Sequence, residues 1–154
     1  MIPEANVRSP NYFIARTEAP CLRCERPTCL LALAMPGIHE TLEDDAWQRA
    51  GAEALLFHVR ALSRGAQHRL HELSLHFRPS HSPATQNTYW ANHCEHCGAL
   101  LDDDELHCEP DGAFFPSSAS AAAAIELIRV NAPVQVVASG YALEPEFLRF
   151  MRRS

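Results

Sequence analysis

The chain has 154 residues, 47% of them hydrophobic and 21% charged. These are ordinary globular proportions, with room for one core and little room for two. Its 13 basic side chains, all arginine, face 19 acidic ones, a formal balance of −6, which lacks the electrostatic footprint of a general DNA or RNA binder. The longest apolar stretches, residues 29–35 and 119–125, fall far short of the ~20 residues of a membrane-spanning helix.

The opening Met1-Ile2-Pro3-Glu4-Ala5-Asn6 has no basic region followed by an apolar run, so no signal peptide is expected and the cytoplasm is the expected compartment. Residues 1–10 carry two prolines and no hydrophobic period and read as a loose arm. Residues 11–154 then form a single metal-stabilised domain. Tyr12-Phe13-Ile14-Ala15-Arg16 predicts a short strand leading into Pro20-Cys21-Leu22-Arg23-Cys24. Residues 28–34 leave that motif as a second, mostly apolar strand, stopped by Pro36-Gly37. Strand, turn, strand is the local plan of a zinc ribbon, although Glu25 stands where such a turn more often carries glycine.

Residues 38–85 are expected as an insertion between this motif and a later one. Within it, 39–47 is acidic and turn-like. The run 54–62 fits strand alternation through Leu55, Phe57 and Val59, but also a helical face; its β-branched and aromatic residues favour strand. Ser63 is placed to cap a helix over 64–77, with Ala66, Leu70, Leu73 and Phe77 on one face. Thr88-Tyr89-Trp90-Ala91-Asn92 predicts a strand feeding Cys94-Glu95-His96-Cys97-Gly98. Beyond it lie an acidic run, Asp102-Asp103-Asp104-Glu105, read as a solvated loop, and an Ala-rich helical stretch over 117–124. A hairpin broken at Asn131-Ala132-Pro133 and a short helix over 144–153 close the chain.

Two Cys-x-x-Cys pairs carry the chemistry. Each places two thiolates within reach of one ion, and together they form a four-thiolate set. The leading expectation is one Zn2+ held by Cys21, Cys24, Cys94 and Cys97; iron is the other metal such a set accepts. The rival arrangement has the second pair recruit His107 or Cys108, leaving the first pair apart. Disulfides are disfavoured in a reducing compartment. Cys29 reads as a small hydrophobe on its strand, His96 as exposed, and His68, His71 and His76 as surface residues of the helix. A deaminase is excluded because His93-x-Glu95 overlaps the cysteine pair and the required proline is missing. No thioredoxin-like turn into a helix, phosphate-binding glycine loop or nucleophile elbow is present.

Residues 89–116 read Tyr-Trp-Ala-Asn-His-Cys-Glu-His-Cys-Gly, then Asp103, Leu106-His107, Glu109-Pro110, Gly112 and Phe114-Phe115-Pro116. This resembles a group of uncharacterised bacterial zinc-ribbon-like proteins with a Trp-x-Asn-x-Cys-x-His-Cys-Gly knuckle followed by Asp, Leu-His and Glu-Pro-x-Gly-x-Phe-x-Pro. In that group an aromatic segment precedes an earlier Pro-Cys-x-x-Cys, as residues 12–24 do here. The resemblance implies a shared zinc-ribbon-like element and no particular activity. Glu25 departs from the group's usual glycine.

The expected fold is α+β: a mainly antiparallel sheet with a zinc-ribbon-like element and two or three helices. The expected function is a structural four-cysteine zinc site stabilising a module that binds a protein partner. The alternative is an enzyme using Asp103, His107 and Glu109 as acid or base beside the metal. A nucleic-acid-binding ribbon is a third reading, disfavoured by the charge.

Overall fold

The computed structural model describes residues 2–154. Its frame is built by β1 (Val7–Ser9), β2 (Tyr12–Pro20), β3 (Pro27–Met35), β4 (Glu40–Glu43), β5 (Ala46–Arg49) and β6 (Ala54–Leu62). After helix α1 (Arg64–Leu73) come β7 (Phe77–Ser82), β8 (Asn87–His93) and β9 (Leu100–Leu101). A π-helical turn (Asp104–Cys108) and the single-turn α2 (Ala119–Ala122) then lead to β10 (Glu126–Val130), β11 (Val134–Leu143) and β12 (Arg152–Arg153). The strands join one sheet in the order β12-β10-β2-β3-β6-β11-β1-β4-β5, with β8 branching from β6 and carrying β7 and β9. The chain is thus mostly sheet with a few short helical segments, a coarse match to α+β. The sheet is mixed: β10 and β12 run parallel, while the other pairings are antiparallel.

Two cores sit on the two faces of this sheet, and β3 shows why. Every residue from Leu30 to Met35 is buried, so the strand reads as a continuous apolar run instead of alternating. Leu31, Leu33 and Met35 join one cluster with Ile14, Leu56 and Trp90. Leu30, Ala32 and Ala34 join the other with Phe13, Leu55 and Leu127. Burying each such leucine contributes about 1.5–3 kcal/mol relative to exposure.

The sheet forks at β6. Along one edge β6 pairs with β11; along the other its first residues pair with β3 and Val59 pairs with Trp90 of β8. At the fork His58 turns into the left-handed region, φ +50, and β11 shifts register between Val137 and Ala138, the signature of a bulge. Gly140 is required there: a Cβ on it would stand 2.2 Å from the Phe57 ring. Across the open wedge, Asn92 of β8 supplies the ladder that β3 has lost. Its Nδ2 donates to Leu31 O at 3.0 Å and its Oδ1 accepts from Leu31 N–H at 2.9 Å, both buried.

Several expectations fail for identifiable reasons. The loose arm is in part a strand: Val7–Ser9 is held between β11 and β4, with Ala5 and Val7 buried. Residues 38–85 do not loop out, because β6 lies at the centre of the sheet. The helix stops at Leu73, and Phe77, which fits its apolar face by spacing, instead opens β7 opposite Asn92. Ser63 stands at the helix N-cap, yet its hydroxyl accepts from Gln135 N–H and not from the helix. β10 and β11 make no hairpin; they pair with β2 and β6 on different parts of the sheet. The terminal helix is a 3-10 turn (Leu148–Phe150) followed by β12. No helix among the described residues is long and apolar enough to cross a membrane.

Candidate metal centre

The two cysteine turns are built alike. In the first, Cys21 N–H donates to Arg26 O and Glu25 N–H to Cys21 O, each at 2.9 Å. In the second, Cys94 N–H donates to Ala99 O and Gly98 N–H to Cys94 O, again at 2.9 Å. Each turn also aims an N–H at its first sulfur: Arg23 to Cys21 Sγ at 3.3 Å and His96 to Cys94 Sγ at 3.4 Å. Both need a left-handed residue four positions after the first cysteine. Gly98 meets this at φ +75 without strain, and Glu25 meets it at φ +67, an L residue where glycine is cheaper.

β3 brings the turns together. Thr28, fully buried, accepts from Glu95 N–H through its hydroxyl at 3.0 Å, and His96 Nε2 lies 3.0 Å from Pro27 O. The four sulfurs then converge: Cys21 Sγ is 3.7 Å from Cys97 Sγ, Cys24 Sγ is 3.6 Å from Cys94 Sγ, and all four lie within 4.8 Å of one another. Zn–S bonds of ~2.3 Å at tetrahedral angles place neighbouring sulfurs about 3.8 Å apart. The set therefore fits a tetrahedral ion that prefers soft donors. Cys21 and Cys94 are buried, Cys24 is half-buried and Cys97 exposed.

Cys94 and Cys24 are pulled in opposite directions. Burial pushes the Cys94 thiol up, but the N–H groups of Cys97 and His96 and the neighbouring Cys24 and Cys97 thiols outweigh it and hold Cys94 down to about 6. The Arg26 N–H draws Cys24 down, yet burial and the three other thiols leave it pushed up to about 11. A cation would remove this competition, because bound cysteines are thiolates.

The rival ligands stand elsewhere. Cys29 is half-buried on β3 and Cys108 is exposed; neither joins the sulfur cluster, nor does His107. His96 is exposed, as its place inside the cysteine pair suggests. Asp103, His107 and Glu109 do not converge. Glu109 is exposed. Asp103 is buried, its Oδ2 accepting from His58 N–H at 2.8 Å, and burial pushes its carboxyl up to about 7. His107 is sandwiched between Phe57 and Phe114 at centroid distances of 5.1 and 4.9 Å, and burial followed by the nearby His58 pushes it down to about 3.

The acidic run is thus not a solvated loop throughout. Asp102 is half-buried, accepting from Tyr89 OH and Ser82 Oγ at 2.5 Å each, while Asp103 N–H donates to Tyr89 OH at 3.0 Å. The sequence did hold a signal, since Leu101 and Leu106 bracket the run and both are buried. Set against known proteins, the chain matches no family model, no curated protein and no solved structure. Its chemistry is read from this geometry.

Proposed function

We propose that this is a zinc-binding protein in which Cys21, Cys24, Cys94 and Cys97 hold one structural zinc within a zinc-ribbon-like element, stabilising a module that binds a protein partner. The observation that carries the zinc reading is the convergence of four sulfurs at tetrahedral spacing on two turns whose N–H groups point at them. Four thiolates fill every corner of a tetrahedron, so the ion has a structural task, with no position left for a substrate. The resemblance of residues 89–116 to the bacterial zinc-ribbon-like proteins points the same way. The partner reading is supported by the acidic balance and by a surface groove of about 400 Å³ lined in part by the exposed Leu42, Tyr141 and Leu143.

Native mass spectrometry of the purified protein and its four single Cys→Ser variants tests the site. One zinc per chain, lost on changing any of the four, is the expected result. Zinc that survives Cys21→Ser or Cys24→Ser sinks the single four-thiolate site.

A second reading, acid-base catalysis, is favoured by one observation. His107 lines an apolar cavity of about 220 Å³ with Leu55, Phe57, Phe114 and Phe115, and no hydrogen bond reaches its ring among the described residues. Glu109 is exposed and takes no part in this cavity. A panel of small aromatic compounds whose stabilising effect disappears in His107→Phe supports this reading; no hit on the wild type dismisses it.

A further inference from the structure

A second cluster of metal-ligating atoms lies outside the thiolate site, where the sheet forks. We infer that His58, Asp102 and Asp104 form a binding site for a hard or borderline divalent ion, of the class of Mn2+ or Fe2+, distinct from the sulfur cluster and independent of it. One donor atom from each residue lies within 4.8 Å of the others. His58 comes from the left-handed turn in β6, and the two carboxylates flank the start of the π-helical turn after β9.

The relation of His58 to Asp104 is the first argument. His58 Nε2 stands 3.1 Å from Asp104 Oδ1. Yet that nitrogen is sealed from solvent and makes no well-formed hydrogen bond to any group. An ordinary ion pair would point an N–H along that line. Two donors each ~2.1 Å from one ion and at right angles to each other are about 3.0 Å apart. The separation and the missing hydrogen bond together describe two ligands on one edge of a coordination shell.

Charge is the second argument, and it is independent of that geometry. Asp102, Asp103 and Asp104 follow one another, and Asp103 bends back to accept the His58 N–H. Among the described residues no arginine pairs with any of them, although arginines elsewhere pair with Glu40, Glu53, Glu72 and Glu126. Among the described residues, His58 is the one basic side chain that pairs with the run, through Asp104. A corner where the Asp102 and Asp104 carboxylates meet an unpartnered imidazole nitrogen, with no arginine beside them, is complementary to a cation.

Asp102 is also held as ligating carboxylates are held. Ser82 Oγ donates to its Oδ2, Tyr89 OH and Asp104 N–H donate to its Oδ1, and a carboxylate keeps further lone pairs for an ion. Such outer contacts fix a ligand's direction, and their loss typically weakens metal binding about 10–100-fold. One imidazole with two carboxylates suits manganese or iron better than the all-thiolate set does, and calcium or magnesium would rarely take the nitrogen. The two sites therefore sort metals by softness. Three protein donors leave open positions on an octahedral ion, where water or an oxygen-bearing ligand can bind.

The test titrates Mn2+ into zinc-replete protein and follows free Mn2+ by electron paramagnetic resonance. The expected result is one saturable Mn2+ per chain, with affinity reduced at least tenfold in His58→Asn and in Asp104→Asn, and about 10–100-fold in Tyr89→Phe. Asparagine keeps the left-handed turn accessible at position 58, and retained zinc in each variant shows that the fold and the sulfur site persist. Glu105→Gln, an exposed neighbour, leaves affinity unchanged. A second measurement needs no variant: pulsed resonance of the bound ion should show coupling to an imidazole nitrogen. Absence of saturable binding, equal affinity in wild type and His58→Asn, or absence of nitrogen coupling each overturns the site.

Discussion

The sulfur cluster and the His58–Asp102–Asp104 corner are both served by β8, yet they are made in opposite ways. At the strand's end Cys94 enters a tight turn that carries its own partner three residues on and its own N–H donors for sulfur. Earlier on the strand, Tyr89 reaches Asp102, and the corner is completed by His58 from another strand. The first kind of site is written locally and then duplicated. The second exists only once distant segments have met. Soft donors on tight turns can thus be specified by spacing, while hard donors in a half-buried corner must be specified by the whole sheet.

Removing one sulfur should separate the two regions most sharply. A structural zinc of the kind proposed would contribute about 10–16 kcal/mol of apparent binding energy, comparable with the whole stability of a domain. Cys21→Ser and Cys94→Ser should therefore each forfeit most of the urea resistance, and to the same extent. Asp104→Asn, measured with zinc bound and no added Mn2+, should leave the urea midpoint nearly unchanged. Unequal losses between the two cysteine variants would break the picture of one shared ion.

Next in size is Asn92→Ala, which strikes the joint between the regions. It strands the buried N–H and C=O of Leu31, at about 1–3 kcal/mol for each unsatisfied group. Equilibrium unfolding should show a loss of about 3 kcal/mol with zinc still bound; a loss under 1 kcal/mol would mean that the fork does not depend on this amide.

The histidine between the phenyl rings gives a pH signature. Its folded pKa is pushed down to about 3, whereas an unfolded histidine titrates near 6.5. Its share of stability is intact above pH 6.5 and is lost as the pH falls towards 3. Each pH unit in that window removes about 1.4 kcal/mol. Between pH 6.5 and 5 the wild type should lose about 2 kcal/mol more than His107→Phe, since titration of the cysteine cluster is common to both and cancels. Parallel pH profiles would show that the imidazole is not held neutral.

The smallest effect sharpens the likeness of the two turns. Glu25 occupies the left-handed position that Gly98 fills in the other turn. Glu25→Gly should raise stability by up to about 1 kcal/mol, and Gly98→Ala should lower it by about as much, since no atom crowds a Cβ there and only the backbone resists.

How far the sequence could be read follows the same division. The cysteine spacing, the apolar run of β3 and the strand into Cys94 are local patterns, and each lies where the structure has it. The acidic run misled because its partners, Tyr89, Ser82 and His58, lie 13, 20 and 45 residues from their respective aspartates. Phe77 misled because a helical spacing and a strand's first buried residue look alike over so short a run. The role of Asn92 was unreadable for another reason: its amide acts as a substitute for backbone, and no period in the sequence announces that.

Consider how the chain meets the ribosome. Cys24 and Cys94 are 70 residues apart, and synthesis proceeds at about 5–20 residues per second, so the first pair emerges roughly 4–14 s before its partners. During that interval Cys21 and Cys24 form a dithiol with no ladder to β8 and no second pair to complete a tetrahedron. With one ion shared by both pairs, as proposed, assembly would be ordered by translation: the early turn would have to stay reduced until the late one arrives. The vulnerable moment in this protein's life precedes its fold.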